Sequence, residues 1–299
     1  MSKDGGSWCK VDCVLETQAV LGESPVWDPR DRGLYWVNIL GQDIHRFHPD
    51  TGINETFHLP QFVSSVALRQ QGGLIITLKN IFAFFDPDTG HLEVLDNPEP
   101  DKPDNRFNDG KCDRQGRFWA GTMNHLQCDA PSGSLYRFDP DRRITRMRSD
   151  VSCSNGLGWS PDNRVMYFAE SFRHCIYAFD FDAAEGTLSN QRVLASVDKN
   201  SGGVPDGLTV DADGCVWNAQ VGLGRLVRYS PTGDVDRILE LPVPRPTSCI
   251  FGGDNLDVLY VTSATETMTE EHIAQAPLSG GLFAVYPGVR GLPEPRFAG

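Results

Sequence analysis

Three oxygen-bearing side chains stand in equivalent settings far apart along the chain: Glu23, Asn155 and Asp206. Carboxylate and amide oxygens are the ligands that hard cations prefer, and this set leaves positions open for water or substrate. The seven histidines show no metal-ligand spacing, which favours a hard cation over a structural zinc ion. The sequence therefore predicts one bound divalent cation, Ca²⁺, Mg²⁺ or Mn²⁺, with the borderline ions Zn²⁺ and Fe²⁺ as alternatives.

A second set of polar side chains offers hydrogen-bond donors to a substrate. Arg106 and Asn108 are two residues apart on an extended segment, so their side chains should point to the same side. Together they could orient a neutral polyol or a carbonyl compound; a surface arginine beside a turn asparagine is the alternative. His125 lies in a polar loop predicted at 123–132, and such loops often frame binding sites on a rigid scaffold.

These candidates belong to a repeat of six polar positions, each followed by a strand-like run, a turn and a second strand, at spacings of 41, 44, 47, 51 and 42 residues. They are Glu23, Ser64, Asn108, Asn155, Asp206 and Ser248. A period of this size is typical of a propeller in which each repeat forms one blade around a common axis. Asn-Gly and Asp-Gly pairs are also ordinary turn signals, but here each pair opens a strand. The two serines are expected to be small spacers.

The repeat predicts an all-β fold, a six-bladed β-propeller with four-stranded antiparallel blades. A strand near residues 11–17 has no partner in its own blade, so we expect it to join the C-terminal blade and close the ring. The predicted organisation is a flexible N-terminus over 1–10 and a single propeller domain over 11–299. A second irregular stretch, 266–277, contains a short helical turn starting near Thr269.

Composition excludes several classes of function. The net charge of −13 argues against a nucleic-acid partner, which needs concentrated Lys and Arg. No apolar run approaches the roughly 18 residues of a membrane helix, and the N-terminus lacks an apolar secretory core, so a cytoplasmic location is expected. The eight cysteines form no CxxC pair and are expected to be free thiols. Neither a nucleophile elbow nor a phosphate-binding loop is present.

Several strings, taken in order, resemble the regucalcin/gluconolactonase family over nearly the whole chain. They are Gly22-Glu-Ser-Pro-Val-Trp, Asn105-Arg-Phe-Asn-Asp-Gly-Lys, Ala120-Gly-Thr-Met, Ser154-Asn-Gly-Leu, Pro205-Asp-Gly and Gly280-Gly-Leu-Phe. The resemblance implies a six-bladed propeller, a divalent metal held by Glu23, Asn155 and Asp206, and hydrolysis of aldonolactones with Arg106 and Asn108 on the substrate. Animal regucalcins carry an acidic pair where this chain reads Asn124-His-Leu, a departure that concerns sugar preference more than reaction type.

The leading hypothesis is metal-dependent hydrolysis of a sugar lactone to its aldonic acid. The cation would polarise the carbonyl, and Asp206 would be the general base that delivers water, directly or through a hydroxide held beside it. His125 and its loop would help to select the sugar. The alternatives are a calcium-binding regulator without activity, an organophosphate or aryl-ester hydrolase, and an interaction propeller. The expected partner is a small-molecule lactone, with neither nucleic acid nor membrane, and the expected assembly is a monomer or weak homodimer.

Overall fold

The computed structural model describes residues 10–299 and confirms the six-bladed β-propeller. Each blade is a four-stranded antiparallel sheet in which consecutive strands are hydrogen-bonded neighbours. Residues 1–9 of the predicted flexible N-terminus lie outside the described residues, and the single-domain boundary at 11–299 stays a prediction.

Strands β1 to β24 follow the chain, and five blades are built from consecutive strands. The N-terminal strand is β1 (Val11–Leu15). The first blade contains β2 (Gly22–Asp28), β3 (Gly33–Asn38), β4 (Asp43–His48) and β5 (Ile53–His58). The second contains β6 (Val63–Leu68), β7 (Leu74–Leu78), β8 (Phe82–Asp86) and β9 (His91–Val94). The third contains β10 (Asn105–Cys112), β11 (Phe118–Asn124), β12 (Gly133–Phe138) and β13 (Ile144–Val151).

The remaining blades follow the same order until the ring closes. The fourth contains β14 (Ser154–Trp159), β15 (Val165–Glu170), β16 (Cys175–Asp182) and β17 (Thr187–Ser196). The fifth contains β18 (Val204–Val210), β19 (Val216–Val221), β20 (Arg225–Tyr229) and β21 (Val235–Glu240). The sixth contains β22 (Pro246–Gly252), β23 (Val258–Ser263), β24 (Leu282–Val285) and β1, which pairs with β24 as predicted. This pairing covers the edge that β24 would otherwise expose.

The hydrophobic core is divided among the interfaces between blades. In the described part of the chain, six clusters of buried apolar residues each join two neighbouring blades. Trp119 of the third blade and Trp159 of the fourth meet edge to face, with ring centroids 6.1 Å apart. A blade therefore buries its faces only against its neighbours, which makes the closed ring the unit of stability.

Each innermost strand carries a register irregularity beside its polar repeat position. The irregularities fall between these pairs: Glu23 and Val26, Val63 and Ser65, Phe107 and Gly110, Asn155 and Leu157, Pro205 and Leu208, Pro246 and Cys249. A β-bulge bends its strand and re-aims one side chain. The repeated bulge therefore lies beside every polar repeat position and can re-aim the side chain there.

Two predicted loop features can be compared directly with the structure. Strand β11 extends to Asn124, so the third-blade loop begins at His125 and not at residue 123 as predicted, because Met123 still pairs with Arg106 of β10. The sixth-blade loop contains α1 (Glu270–Gln275), whose N-cap Thr269 accepts a hydrogen bond from the backbone N–H of His272 at 3.2 Å. Across residues 10–299, no helix is both long and apolar enough to span a membrane.

The cysteines of the described region are all free thiols, as predicted; Cys9 lies outside it. Cys112, Cys175, Cys215 and Cys249 are buried in the blades. They act there as small apolar side chains.

Glu294 and Pro295 of the C-terminal segment line a smaller axial cavity together with residues of β2, β6, β10, β18 and β22, while Phe297 packs between the second and third blades. Phe297 is fully buried against Phe84 and Phe138, at centroid distances of 5.8 and 5.6 Å. Glu294 forms an ion pair with Lys111 of β10 at 3.7 Å. The C-terminal segment therefore covers the axis on this side.

A buried ion-pair network anchors the fifth blade. Asp211 follows β18 and accepts hydrogen bonds from Trp217 Nε1 at 2.9 Å and Arg228 Nε at 2.7 Å. Its other carboxylate oxygen accepts the backbone N–H groups of Asp213 and Cys215. Both carboxylate oxygens are thus satisfied, which removes most of the cost of burying the charge.

Replacing Asp211 with alanine is expected to destabilise the protein by about 3–5 kcal/mol, because it leaves both the buried Trp217 Nε1 and Arg228 Nε without their acceptor. Denaturant unfolding followed by tryptophan fluorescence measures the change. Asp213→Ala is the matched control: Asp213 also pairs with Arg228 but is 66% exposed, so its loss should cost less than about 1 kcal/mol. Equal losses of stability in the two variants would show that Asp211 contributes no more to stability than the exposed Asp213.

Candidate active site

Four of the six polar repeat positions line one cavity of about 120 Å³ at the open end of the channel: Glu23, Asn108, Asn155 and Asp206. Each lies on an innermost strand, β2, β10, β14 or β18. The two serines differ. Ser64 is fully buried, and Ser248 faces a smaller cavity on the other side of the bulges, together with Asp109 and Lys111. The six positions are therefore not chemically equivalent.

Asn155 presents its carbonyl oxygen in a fixed orientation. Its Nδ2 donates to Ser171 Oγ at 2.8 Å, and Ser171 Oγ in turn donates to the carbonyl oxygen of Pro205 at 2.8 Å. Because the Ser171 proton is used on Pro205, the hydroxyl must accept from the asparagine. The amide is thereby oriented with Oδ1 free, and this buried oxygen has no hydrogen-bond partner in the structure.

Glu23 and Asp206 are two carboxylates buried in the same cavity, with exposed fractions of 5% and 7%. Burial raises the pKa of Glu23 well above its usual range, and repulsion from Asp206 and Asp109 adds to the shift. Burial likewise raises the pKa of Asp206, with Asp109 as the next cause. The pKa of Asp109 is raised to about 6, again chiefly by burial. Ionising all of these acidic groups at once is therefore unfavourable unless a positive charge lies beside them.

These donors fit a hard divalent cation. The buried Oδ1 atoms of Asn155 and Asp206 both lack hydrogen-bond partners, and Glu23 adds a second carboxylate. Unpartnered buried oxygens are costly, and a cation would satisfy both at once. Within residues 10–299 no group of three or more His, Cys, Asp or Glu side chains is arranged to hold a metal, so the amide of Asn155 is needed to complete the set.

Arg106 and Asn108 point to the same side of β10, as the sequence predicts. Arg106 Nη1 donates to Asn108 Oδ1 at 2.6 Å, and Asn108 Nδ2 donates to the carbonyl oxygen of Ser154 at 2.8 Å. The asparagine thus fixes the guanidinium to the neighbouring blade. The bonds of Arg106 use Nε and Nη1, which leaves Nη2 for a ligand.

His125 lies behind Arg106. Its Nδ1 accepts from Arg106 Nε at 3.3 Å, and its ring meets Phe62 edge to face. Burial lowers the pKa of His125, with the Arg106 charge as the second cause. A neutral imidazole here holds the arginine in position, so His125 acts on the cavity through Arg106.

Sequence reasoning missed three groups at this site. Ser171 orients Asn155, while Arg245 and Glu266 line the cavity from the sixth blade. Arg245 immediately precedes the innermost strand β22, but it is not a repeat position and has no periodic signal in the sequence. Glu266 lies in the predicted irregular stretch 266–277, but nothing in the sequence shows that it reaches the axis.

Comparison with known proteins places these residues in a family. The family model described as "SMP-30/Gluconolactonase/LRE-like region" matches residues 21–265. The 6-deoxy-6-sulfogluconolactonase of Pseudomonas putida is 40% identical, with 96% of this chain and 98% of that protein covered. The regucalcin of Xenopus laevis is 36% identical, with 97% and 99% covered.

A solved structure agrees with these relatives. The structure described as a calcium-binding protein, regucalcin, from Agrobacterium tumefaciens superimposes with a TM-score of 0.90 at 30% identity, covering 95% of this chain and 96% of that one. The family model's match over residues 21–265 includes β2, β10, β14 and β18, the strands that carry the four cavity repeat positions. The chain therefore belongs to the SMP-30/gluconolactonase/LRE-like family, which contains sugar lactone hydrolases.

Proposed function

We propose that the protein hydrolyses a sugar lactone to the corresponding aldonic acid with the help of one divalent cation. The observation that carries this proposal is the buried pair of unpartnered oxygens, Asn155 Oδ1 and Asp206 Oδ1, beside Glu23 and opposite the donor Arg106. The Pseudomonas putida relative, a sulfogluconolactonase by name, supports the reaction class. The regucalcin relatives support the cation.

Glu23, Asn155 and Asp206 would hold the cation, which when bound supplies Lewis-acid polarisation of the lactone carbonyl. Arg106 donates a hydrogen bond to the substrate from Nη2 and orients the ring, and Asn108 and His125 hold Arg106 in place. The hydrogen-bond donors are thus held in place by internal hydrogen bonds before the substrate binds, which lowers the entropic cost of orienting it.

Asp206 is proposed as the general base. Its carboxylate removes a proton from water as the water oxygen bonds to the carbonyl carbon. The bond between that carbon and the ring oxygen then breaks, and the proton passes to the departing ring oxygen, so that a hydroxy acid is released. Burial in the cavity excludes bulk water and strengthens the carboxylate as a base.

A second function rests on the same oxygens. The Agrobacterium tumefaciens neighbour is described as a calcium-binding protein, and two carboxylates with an amide suit Ca²⁺. A calcium-binding regulator would bind Ca²⁺ selectively and turn over no lactone. An organophosphate or aryl-ester hydrolase would act on those esters in preference to lactones, so one substrate panel separates the three functions.

Replacing Asp206 with alanine or asparagine is expected to reduce lactone hydrolysis about 10²–10⁴-fold, because proton removal from water is lost. A pH-stat assay on aldonolactones, corrected for spontaneous opening, measures the rate. Asp101→Asn, a change of the same kind at an exposed position, should leave the rate unchanged. Full activity of Asp206→Ala would overturn the proposed base.

Chelation is expected to inactivate the enzyme, and adding back Mn²⁺, Ca²⁺, Zn²⁺ or Fe²⁺ should restore it. Ser171→Ala should weaken cation affinity about 10–100-fold, because Asn155 loses the bond that orients its amide. Titration calorimetry with each metal ion measures the affinity. Ser279→Ala, which removes a buried hydroxyl without a partner, is the control. Unchanged affinity in Ser171→Ala would show that this bond does not orient a ligand.

The metal-free protein is expected to lose stability as the pH rises above about 4. The pKa values of Glu23, Asp109 and Asp206 are raised by folding, so the native state binds protons more tightly than the unfolded chain across this range. A bound cation would remove the penalty and release those protons. The increase in melting temperature on adding metal should therefore be larger at pH 8 than at pH 5, and the reverse order would contradict the assignment.

A further inference from the structure

Arg245 and Glu266 form a charged pair at the mouth of the cavity that the proposed chemistry does not use. The nearest nitrogen and oxygen, Arg245 Nη2 and Glu266 Oε2, are 4.0 Å apart, and the two side chains are 23% and 34% exposed. This separation is too long for a direct hydrogen bond. A half-exposed ion pair at this distance contributes little to stability, so stability does not explain the arrangement.

Backbone contacts fix both residues. Ala264 donates its N–H to the carbonyl oxygen of Arg245 at 3.0 Å, which extends the β22–β23 pairing to the cavity mouth. Glu266 donates its N–H to the carbonyl oxygen of Val20 at 2.8 Å, just before the first blade. The pair therefore spans the junction where the ring closes. The distance between the two residues is therefore set by the β22–β23 pairing and by the closure of the ring, and not by the side chains alone.

The gap between the two groups matches one hydroxyl group. A hydroxyl oxygen placed about 2.8 Å from each group fits a separation of this size, and it can accept from the guanidinium while donating to the carboxylate. Arg245 Nε is also buried without a hydrogen-bond partner, so this guanidinium has unused donor capacity. An anionic substituent fits less well, because Glu266 would repel it.

The pair is close enough to the proposed general base to contact the same substrate. Arg245, Glu266 and Asp206 line one cavity. Burial and then Asp109 raise the pKa of Asp206 most, after which Arg245 lowers it and Glu266 raises it. A ring whose carbonyl lies near Asp206 would thus place a more distant hydroxyl at the cavity mouth.

We infer that Arg245 and Glu266 together bind one ring hydroxyl of the substrate and so determine which lactones are accepted. This inference rests on the proposed lactonase function. It adds Arg245 and Glu266 of the sixth blade as the residues that recognise the sugar. It also gives the sixth blade a part in the site, since its repeat residue Ser248 faces away from the cavity.

The test compares wild type with Glu266→Ala, Glu266→Gln, Arg245→Met and the double variant Glu266→Ala/Arg245→Met on an aldonolactone and its monodeoxy analogues. Each alanine or methionine variant should raise KM for the parent lactone about tenfold, with the conservative Glu266→Gln affected less. One deoxy analogue, which lacks the bound hydroxyl, should be insensitive to all of these changes. The double variant should lose little more than either single variant, because one hydroxyl is shared.

The controls are Glu271→Gln and Arg290→Met, which make similar changes at exposed positions and should leave KM unchanged. Equal losses on the parent lactone and on every deoxy analogue, or additive losses in the double variant, would overturn the inference. So would improved binding of an anionic lactone by Glu266→Ala with no effect on neutral ones, since that result would assign Arg245 to an anionic group.

A binding assay separates this inference from the proposed function. 1,5-Anhydroglucitol has the ring hydroxyls without the reactive carbonyl, and calorimetry measures its affinity whether or not any lactone is hydrolysed. About tenfold weaker binding in Glu266→Ala and Arg245→Met would support hydroxyl recognition even if the wild type opened no lactone. Unchanged binding together with normal lactone hydrolysis by wild type would reject the pair and leave the proposed function standing.

Discussion

The structure depends on holding two carboxylates, Glu23 and Asp206, inside one small buried cavity. Burial is the main reason that both pKa values are raised, with repulsion from Asp206 and Asp109 adding to the shift at Glu23 and repulsion from Asp109 adding to that at Asp206. Ionising both carboxylates therefore destabilises the folded ring unless a cation neutralises them. Ring closure makes the confinement possible, because β1 completes the last blade and fixes the first blade beside the sixth. The apolar clusters between blades supply the stability that tolerates such a site.

A symmetric scaffold here carries an asymmetric site. Every innermost strand bulges at its polar position, but the six side chains do not share one environment, because Ser64 is fully buried and Ser248 faces a second, smaller cavity. The four positions that line the larger cavity carry carboxylates or amides, and the other two are serines. The oxygens proposed for the cation come from the first, fourth and fifth blades, and the third blade supplies Arg106. Distributing the groups over separate rigid sheets sets their distances by blade packing and not by loop conformation.

The open end of the channel is lined by side chains from loops and strand ends. Arg106 is held by Asn108 and His125 within the third blade and its loop, whereas Arg245 and Glu266 come from the ends of strands in the sixth. Loops and strand ends tolerate change without disturbing the core. In the proposed function, substitutions at the mouth could therefore change sugar selection without altering the oxygens deeper in the cavity. The opposite end is covered by the C-terminal segment, where Glu294 pairs with Lys111.

The sequence alone determined the six-bladed propeller and the strand that Val11–Leu15 supplies to the last blade. Of its six repeat positions, four line one cavity, and the two serines do not. The orientation of those side chains was not predictable. Asn155 depends on Ser171, which lies on a different segment, and Ser248 turns away from the cavity although it occupies a repeat position. Arg245 and Glu266 carry no periodic signal and meet only where the ring closes. The spacing of residues along the chain indicates the local environment of each repeat position. Contacts between blades depend on how the ring closes in three dimensions, so only the tertiary structure decided which side chains line the cavity.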